Sequence, residues 1–150
     1  MSPQPQRTVR PIPEGCHSVT PYLTVPGVTK LLAFLKRAFD AQVIGTMNRP
    51  DGTVQHAQVR IGDSIVMMGE PQGEVQAKPG NLYLYVEDVD AVYQRAIQAG
   101  AAALREPADQ FYGDRSGGIR DPSGNDWYIA TRIEDLSLEE IRRRAAALAG

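Results

Sequence analysis

Few residues in this 150-residue chain carry catalytic or ligating chemistry, and their spacing limits what they can do. There are two histidines, His17 and His56, and one cysteine, Cys16. The histidines and Glu70 are the candidate metal ligands, yet no HxH or HxxxH spacing gathers them. Cys16 beside His17 resembles a nucleophile and its base, but adjacent side chains of an extended strand point to opposite faces. His56 suits a general base near neutral pH, with Tyr128 or Arg115 polarising a carbonyl or phosphoryl oxygen. Tyr22, Tyr83, Tyr85 and Tyr128 offer something else: flat rings that stack on an organic guest while a hydroxyl stays free to hydrogen-bond. Each of them, taken singly, would serve equally well as ordinary sheet packing.

These residues need elements to hold them. Ser18–Val25 reads as a strand, with Pro21 marking an edge or irregular position. Val28–Phe39 reads as a helix, because Leu31, Phe34, Leu35, Ala38 and Phe39 recur on one face. Strands follow over Gln42–Arg49, Gln55–Ile61 and Ser64–Gly69, the last two joined by a Gly62-Asp63 hairpin loop. A second half begins at Asn81–Val86. Asp88 caps a helix over Val89–Ala99, which Gly100 stops. Ala102–Glu106 is a weaker strand. Phe111–Arg132 reads as a hairpin with a glycine-rich, flexible approach (Gly113, Gly117, Gly118) and a turn over Asp121–Asn125.

Each half is therefore β-α-β-β-β, and the halves repeat. Tyr22-Leu23-Thr24-Val25 matches Tyr83-Leu84-Tyr85-Val86 at an offset of 61 residues, which Val28/Val89, Leu32/Tyr93 and Ala38/Ala99 also keep. Strand alternation assigns the faces. Leu23, Val25, Val59, Val66, Met68, Leu82, Leu84, Trp127 and Ile129 belong against the helices. Thr20, Tyr22, His56, Gln58, Met67, Asn81, Tyr83, Tyr85 and Tyr128 fall on the opposite faces, which are expected to line one polar, aromatic cleft. Arg115, on the glycine-rich approach, is the expected partner of an anionic group.

Doubled β-α-β-β-β, with HAQVRIGDSIVMMGE and FYGDRSGGIRDPSGNDWYIAT, resembles the vicinal-oxygen-chelate superfamily, and within it the subgroup often found at phosphonate-utilisation loci. That superfamily includes glyoxalase I, extradiol dioxygenases, fosfomycin-resistance enzymes and bleomycin-binding proteins. The resemblance implies an α+β fold of two βαβββ modules forming a curved mixed sheet around a cleft. It covers a domain over 17–134, with modules at about 17–70 and 81–134. A Pro-rich arm over 1–16 precedes the domain, and a helix over 135–150 follows, opened by the capping box Ser137-Leu138-Glu139-Glu140.

In metal-using relatives four strand positions carry His and Glu ligands. By strand register the resemblance places them on Thr20, Met67, Asn81 and Tyr128. A hydroxyl, a thioether, an amide and a phenol cannot neutralise a divalent ion, so no metal and no cofactor is expected. The resemblance then implies a binding protein of the bleomycin-resistance type that sequesters an antibiotic or another partly aromatic ligand. The alternatives are a metal-independent isomerase or lyase using His56, and a glyoxalase-like metal-dependent lyase or dioxygenase if the register differs.

Composition narrows the partners. The net charge of −2 gives no electrostatic case for nucleic acid or an anionic membrane. No apolar run approaches the ~20 residues that cross a bilayer, and the first residues lack a signal-peptide layout. One cysteine excludes an intrachain disulfide and points to the reducing cytoplasm. A homodimer is expected from the resemblance.

Overall fold

Strands with one apolar face and helices with one apolar stripe leave a single economical solution: each helix covers the apolar face of its own sheet. The computed structural model, which describes residues 9–150, is built this way. The first module comprises β1 (Tyr22–Thr24), α1 (Val28–Phe39), β2 (Gln42–Asn48), β3 (Val54–Ile61) and β4 (Ser64–Gly69). The second comprises β5 (Asn81–Tyr85), α2 (Val89–Gln98), β6 (Ala102–Asp109), β7 (Asp114–Arg120) and β8 (Asp126–Arg132), and α3 (Leu138–Ala149) follows. The sheets have strand orders β1-β4-β3-β2 and β5-β8-β7-β6. In each, the first strand runs parallel to the last, and the other pairings are antiparallel. Tyr22 stands opposite Met67, and Tyr83 stands opposite Tyr128, so the repeat seen in sequence recurs in register.

The two modules share one core. Leu23, Val59, Val66 and Met68 of the first sheet are buried with Leu31, Leu35 and Ala38 of α1. Ile119, Trp127 and Ile129 of the second are buried with Val89, Tyr93 and Ala96 of α2. The helices pack on each other, and the Phe39 ring meets the indole of Trp127 at 4.9 Å between centroids. Full burial of a large apolar side chain stabilises the fold by about 1.5–3 kcal/mol, so the helix faces dominate its stability.

Polar groups staple the modules at the β7–β8 turn. Asp121 Oδ1 accepts from the backbone amides of Ser123 and Asn125, at 2.9 and 3.0 Å. Its Oδ2 accepts from Asn125 Nδ2 and Trp127 Nε1, at 2.9 and 2.8 Å. Asn125 in turn accepts from the Gly80 amide, and Ser123 Oγ donates to the Pro26 carbonyl just before α1. Glu70, at the end of β4, accepts from the amides of Gly27 and Val54 with its two carboxylate oxygens. It thereby caps α1, whose own N-cap, Gly27, has no side chain to do so.

Several expectations change. The first strand spans three residues rather than Ser18–Val25, because Pro21 has no amide hydrogen to donate to a ladder. Thr20 thus falls outside it, and its Oγ1 donates to the His17 carbonyl at 3.0 Å. β6 runs on to Asp109, past the expected end at Glu106. Gly117 and Gly118 lie inside β7, in a paired strand and not in a flexible approach. Of the arm expected over 1–16, residues 1–8 lie outside the described residues. Near its other end the chain turns, Cys16 N donating to the Pro13 carbonyl, and Gly15 sits against Arg60 and Ile65. Ile65 is consequently buried although it belongs to the face opposite the helices.

Candidate functional site

On the open face of the first sheet the structure gathers Tyr22, His56, Gln58 and Met67. Met67 is opposite Tyr22 on one side and Gln58 on the other. The Tyr22 and His56 rings lie 5.7 Å apart. His56 Nε2 is 3.2 Å from Gln58 Nε2. An amide NH₂ donates, so the pair is a hydrogen bond in the tautomer that leaves this imidazole nitrogen unprotonated. Tyr22 is 50% exposed.

The open face of the second sheet holds the remaining tyrosines. Tyr83 and Tyr85 are two residues apart on β5 and share a face; they are 45% and 57% exposed. Their rings are 5.2 Å apart, and both hydroxyls donate to Asp114 Oδ2 at 2.8 Å. Asp114 is only 2% exposed. Its Oδ1 is buried without a hydrogen-bond partner, and Arg132 Nη1 is 3.9 Å away. Burial, then donation to Asp114, pushes the Tyr83 hydroxyl well above the usual phenol range. Tyr85 is raised chiefly by its hydrogen bond to the same carboxylate.

Tyr128 lies next to Tyr83 and against Gly118. The Arg105 guanidinium sits over the Tyr128 ring, 5.7 Å from its centroid, and Arg105 Nη2 donates to the buried Ser116 Oγ at 2.8 Å. Among the described residues no hydrogen bond or ring contact joins the two faces. Between the modules a cavity of about 220 Å³ is lined mainly by helix-side residues, Val66, Leu82, Leu84 and Trp127 among them, with Ile65 and Tyr83 of the open faces at its margin.

Of the residues singled out in sequence, Tyr22, His56, Gln58 and Met67 come together, as do Tyr83, Tyr85 and Tyr128. Asn81 opens β5, exposed and opposite Asp126. Arg115 is corrected. Alternation places Asp114, Ser116 and Gly118 on the open face and Arg115 on the other, where it bonds Asp90 at 2.9 Å and Asp109 at 3.0 Å. Asp114, Ser116 and Arg105 were missed. The first two were legible as alternate positions of a strand, had Asp114–Arg120 been read as one. Arg105 follows a register shift between Ala103 and Arg105, and such a bulge erases the alternation that assigns a face.

Thr20, Met67, Asn81 and Tyr128 are far from alike in chemistry. Thr20 is engaged with a carbonyl, and Met67, Asn81 and Tyr128 offer no imidazole, carboxylate or thiolate. Both carboxylate oxygens of Glu70 already accept from backbone amides. No group of three or more His, Cys, Asp or Glu side chains placed to hold an ion occurs among the described residues.

Two βαβββ modules that share a core and leave their second sheet faces uncovered define a paired-module α+β fold. The chain belongs to the Glyoxalase/Bleomycin resistance protein/Dioxygenase superfamily, whose sequence profile matches residues 16–129. It is 33% identical over 136 residues to an uncharacterised Mycobacterium tuberculosis protein, covering 83% of this chain and 80% of that one. TioX from Micromonospora sp. ML1 shares the fold, with a TM-score of 0.63 at 22% identity over 81% of this chain and all of that one. So does the fosfomycin resistance protein FosX from Listeria monocytogenes, with a TM-score of 0.64 at 17% identity over 83% and 97% of the two chains.

Proposed function

We propose that this protein binds a small, partly aromatic organic molecule on the open faces of its sheets without the aid of a metal ion. The observation that carries this reading is the exposure of Tyr22, Tyr83 and Tyr85, each about half open to solvent on faces that no helix covers. A pair of tyrosine rings in contact and about half open, as Tyr83 and Tyr85 are, suits a binding surface that is apolar on one side and wet on the other. The phenols of Tyr83 and Tyr85 are tethered to Asp114, which holds their rings in fixed poses and lowers the entropy lost when a guest stacks on them. The family's name includes bleomycin resistance, and FosX is a fosfomycin resistance protein, so sequestration of an antibiotic-like guest is a natural use of this surface. We propose a homodimer as well, on the family resemblance alone. The single cysteine suits the cytoplasm, and no helix among the described residues is long and apolar enough to cross a membrane.

The test is a melting-temperature screen of the purified protein against planar antibiotics and small α-oxo compounds, with and without chelator, alongside elemental analysis. A chelator-insensitive rise with a planar guest, without turnover, is the expected result. One equivalent of bound metal per chain, or a response abolished by chelator, would overturn the reading. Turnover of an α-oxo compound that is lost in His56→Ala would move the assignment to an enzyme.

A further inference from the structure

Arg105 stands apart from the other arginines of its sheet. Arg115 bonds Asp90 and Asp109, Arg120 bonds Asp126, and Arg132 bonds Asp135. Arg105 forms no ion pair with any described carboxylate. One of its N–H groups donates to Ser116 Oγ, which is fully buried, and this fixes the head group. A guanidinium has five N–H donors in a planar fork, so most of them stay available on the open side.

Its position gives these free donors a meaning. Across the second sheet, Tyr83 is opposite Tyr128, Tyr128 is opposite Gly118, and Gly118 is opposite Arg105. The row thus runs from two phenol rings to a cation, with a glycine between that lets the Tyr128 ring approach the sheet. On the same sheet the carboxylate of Asp114 is shut away behind the hydroxyls of Tyr83 and Tyr85. The polarity along the row is one-directional: stacking surface first, unpaired positive charge last.

Resting on the open-face reading above, we propose that Arg105 is the anion-recognising residue of the site, and that the guest is an aromatic carboxylate. Its flat body lies on Tyr83 and against the edge of Tyr128 while its carboxylate takes the free fork of Arg105. Ser116 is a positioning residue that sets the angle of that fork. Arg105, and not Arg115, then has the role that charge alone would assign to either.

The test is calorimetric titration of the full chain with a matched pair of probes, 2-naphthoate and its neutral amide 2-naphthamide. A charge-assisted pair predicts that the native protein prefers the carboxylate by about 10- to 100-fold. Arg105→Gln removes that preference. Arg105→Lys keeps part of it, since charge survives without the planar fork, and it serves as the informative variant if Arg105→Gln misfolds. Ser116→Ala narrows the preference. Equal binding of the two probes by the native protein, or a preference that survives in Arg105→Gln, overturns the assignment but leaves the open-face site standing. Binding of neither probe overturns both.

Discussion

Tyr128 and Gly118 face each other across β8 and β7 so closely that a side chain on the glycine would press on the ring. A Cβ at 118 would stand 3.1 Å from Tyr128 Cε1 and 3.2 Å from Cδ1. Ring carbons that close must move by a few tenths of an ångström, and Arg105 must move with them. Gly118→Ala is therefore expected to weaken binding of a planar guest more than it lowers stability. Gly118→Val adds an overpacking penalty of about 1–3 kcal/mol. Thermal melts and probe titrations on the two variants separate the effects, and unaltered binding in Gly118→Val would show that the pose of Tyr128 is irrelevant.

The hydroxyls of Tyr83 and Tyr85 share one carboxylate oxygen, and this fixes a pH dependence. Both hold their protons more tightly in the folded chain than the ordinary phenol value of 10.0. A group whose pKa is raised on folding contributes stability that is fully present below its unfolded pKa and is lost as pH rises past it. The melting temperature should hold up to about pH 9 and fall above about pH 10. Absorbance of tyrosinate at 295 nm should show a late component that disappears in the Tyr83→Phe, Tyr85→Phe double variant. If the double variant titrates like the native protein, the two phenols are not bound to Asp114 in solution.

Asp121 accepts four hydrogen bonds in a buried turn, one of them from the indole of Trp127. Removal of the carboxylate strands several buried donors at once, each worth about 1–3 kcal/mol when left unmet. Asp121→Ala should lose at least about 3 kcal/mol in denaturant unfolding. Trp127 is the only tryptophan, so its fluorescence reports the loss directly. Asp121→Asn, which keeps acceptor capacity at one oxygen, should lose less. Equal losses for the two variants would assign the effect to charge and not to the hydrogen-bond count.

How far the sequence reveals the molecule depends on which physical signal each part carries. The helices announce themselves, since Leu31, Leu35 and Ala38 repeat at helical spacing and all three are buried. The hairpin at Gly62-Asp63 and the turn at Asp121 are equally plain, because turn chemistry is local. The face assignment of Tyr22, His56, Gln58 and Tyr83 follows from alternation, which holds wherever strands are regular. It breaks at the bulge ahead of Arg105, so a site residue goes unseen there. Across Asp114–Arg120 two glycines suggest flexibility and mask the alternation, although they are the space that Tyr128 and the neighbouring strand occupy. Arg115 was singled out for its charge, a property that says nothing of direction; Asp90 and Asp109 come near it only through the fold.

The C-terminal helix supplies the last prediction. Its N-cap is as its sequence suggests, Ser137 Oγ accepting from the Glu140 amide at 3.1 Å, but none of its residues is fully buried. Leu138 and Leu148 are exposed, and what docks α3 is Arg144, bonded to Glu134 at 3.0 Å and to the Phe111 carbonyl at 3.3 Å. Arg144, through its hydrogen bonds, holds the carboxyl of Glu134, which lies outside the helix, below the usual glutamate range. A carboxylate with a lowered pKa contributes above its unfolded value and loses that contribution as pH falls through the folded one. The docking of α3 should therefore loosen as pH falls below about 4.5, before the core responds. Exposed ion pairs contribute little in water. Truncation before Ser137, or Arg144→Ala, should then lower the melting temperature by less than about 3 °C. Hydrogen exchange should find the α3 amides unprotected in Arg144→Ala while those of α1 stay protected. A large drop in melting temperature on truncation would mean that the helix packs on the body through contacts other than these charges.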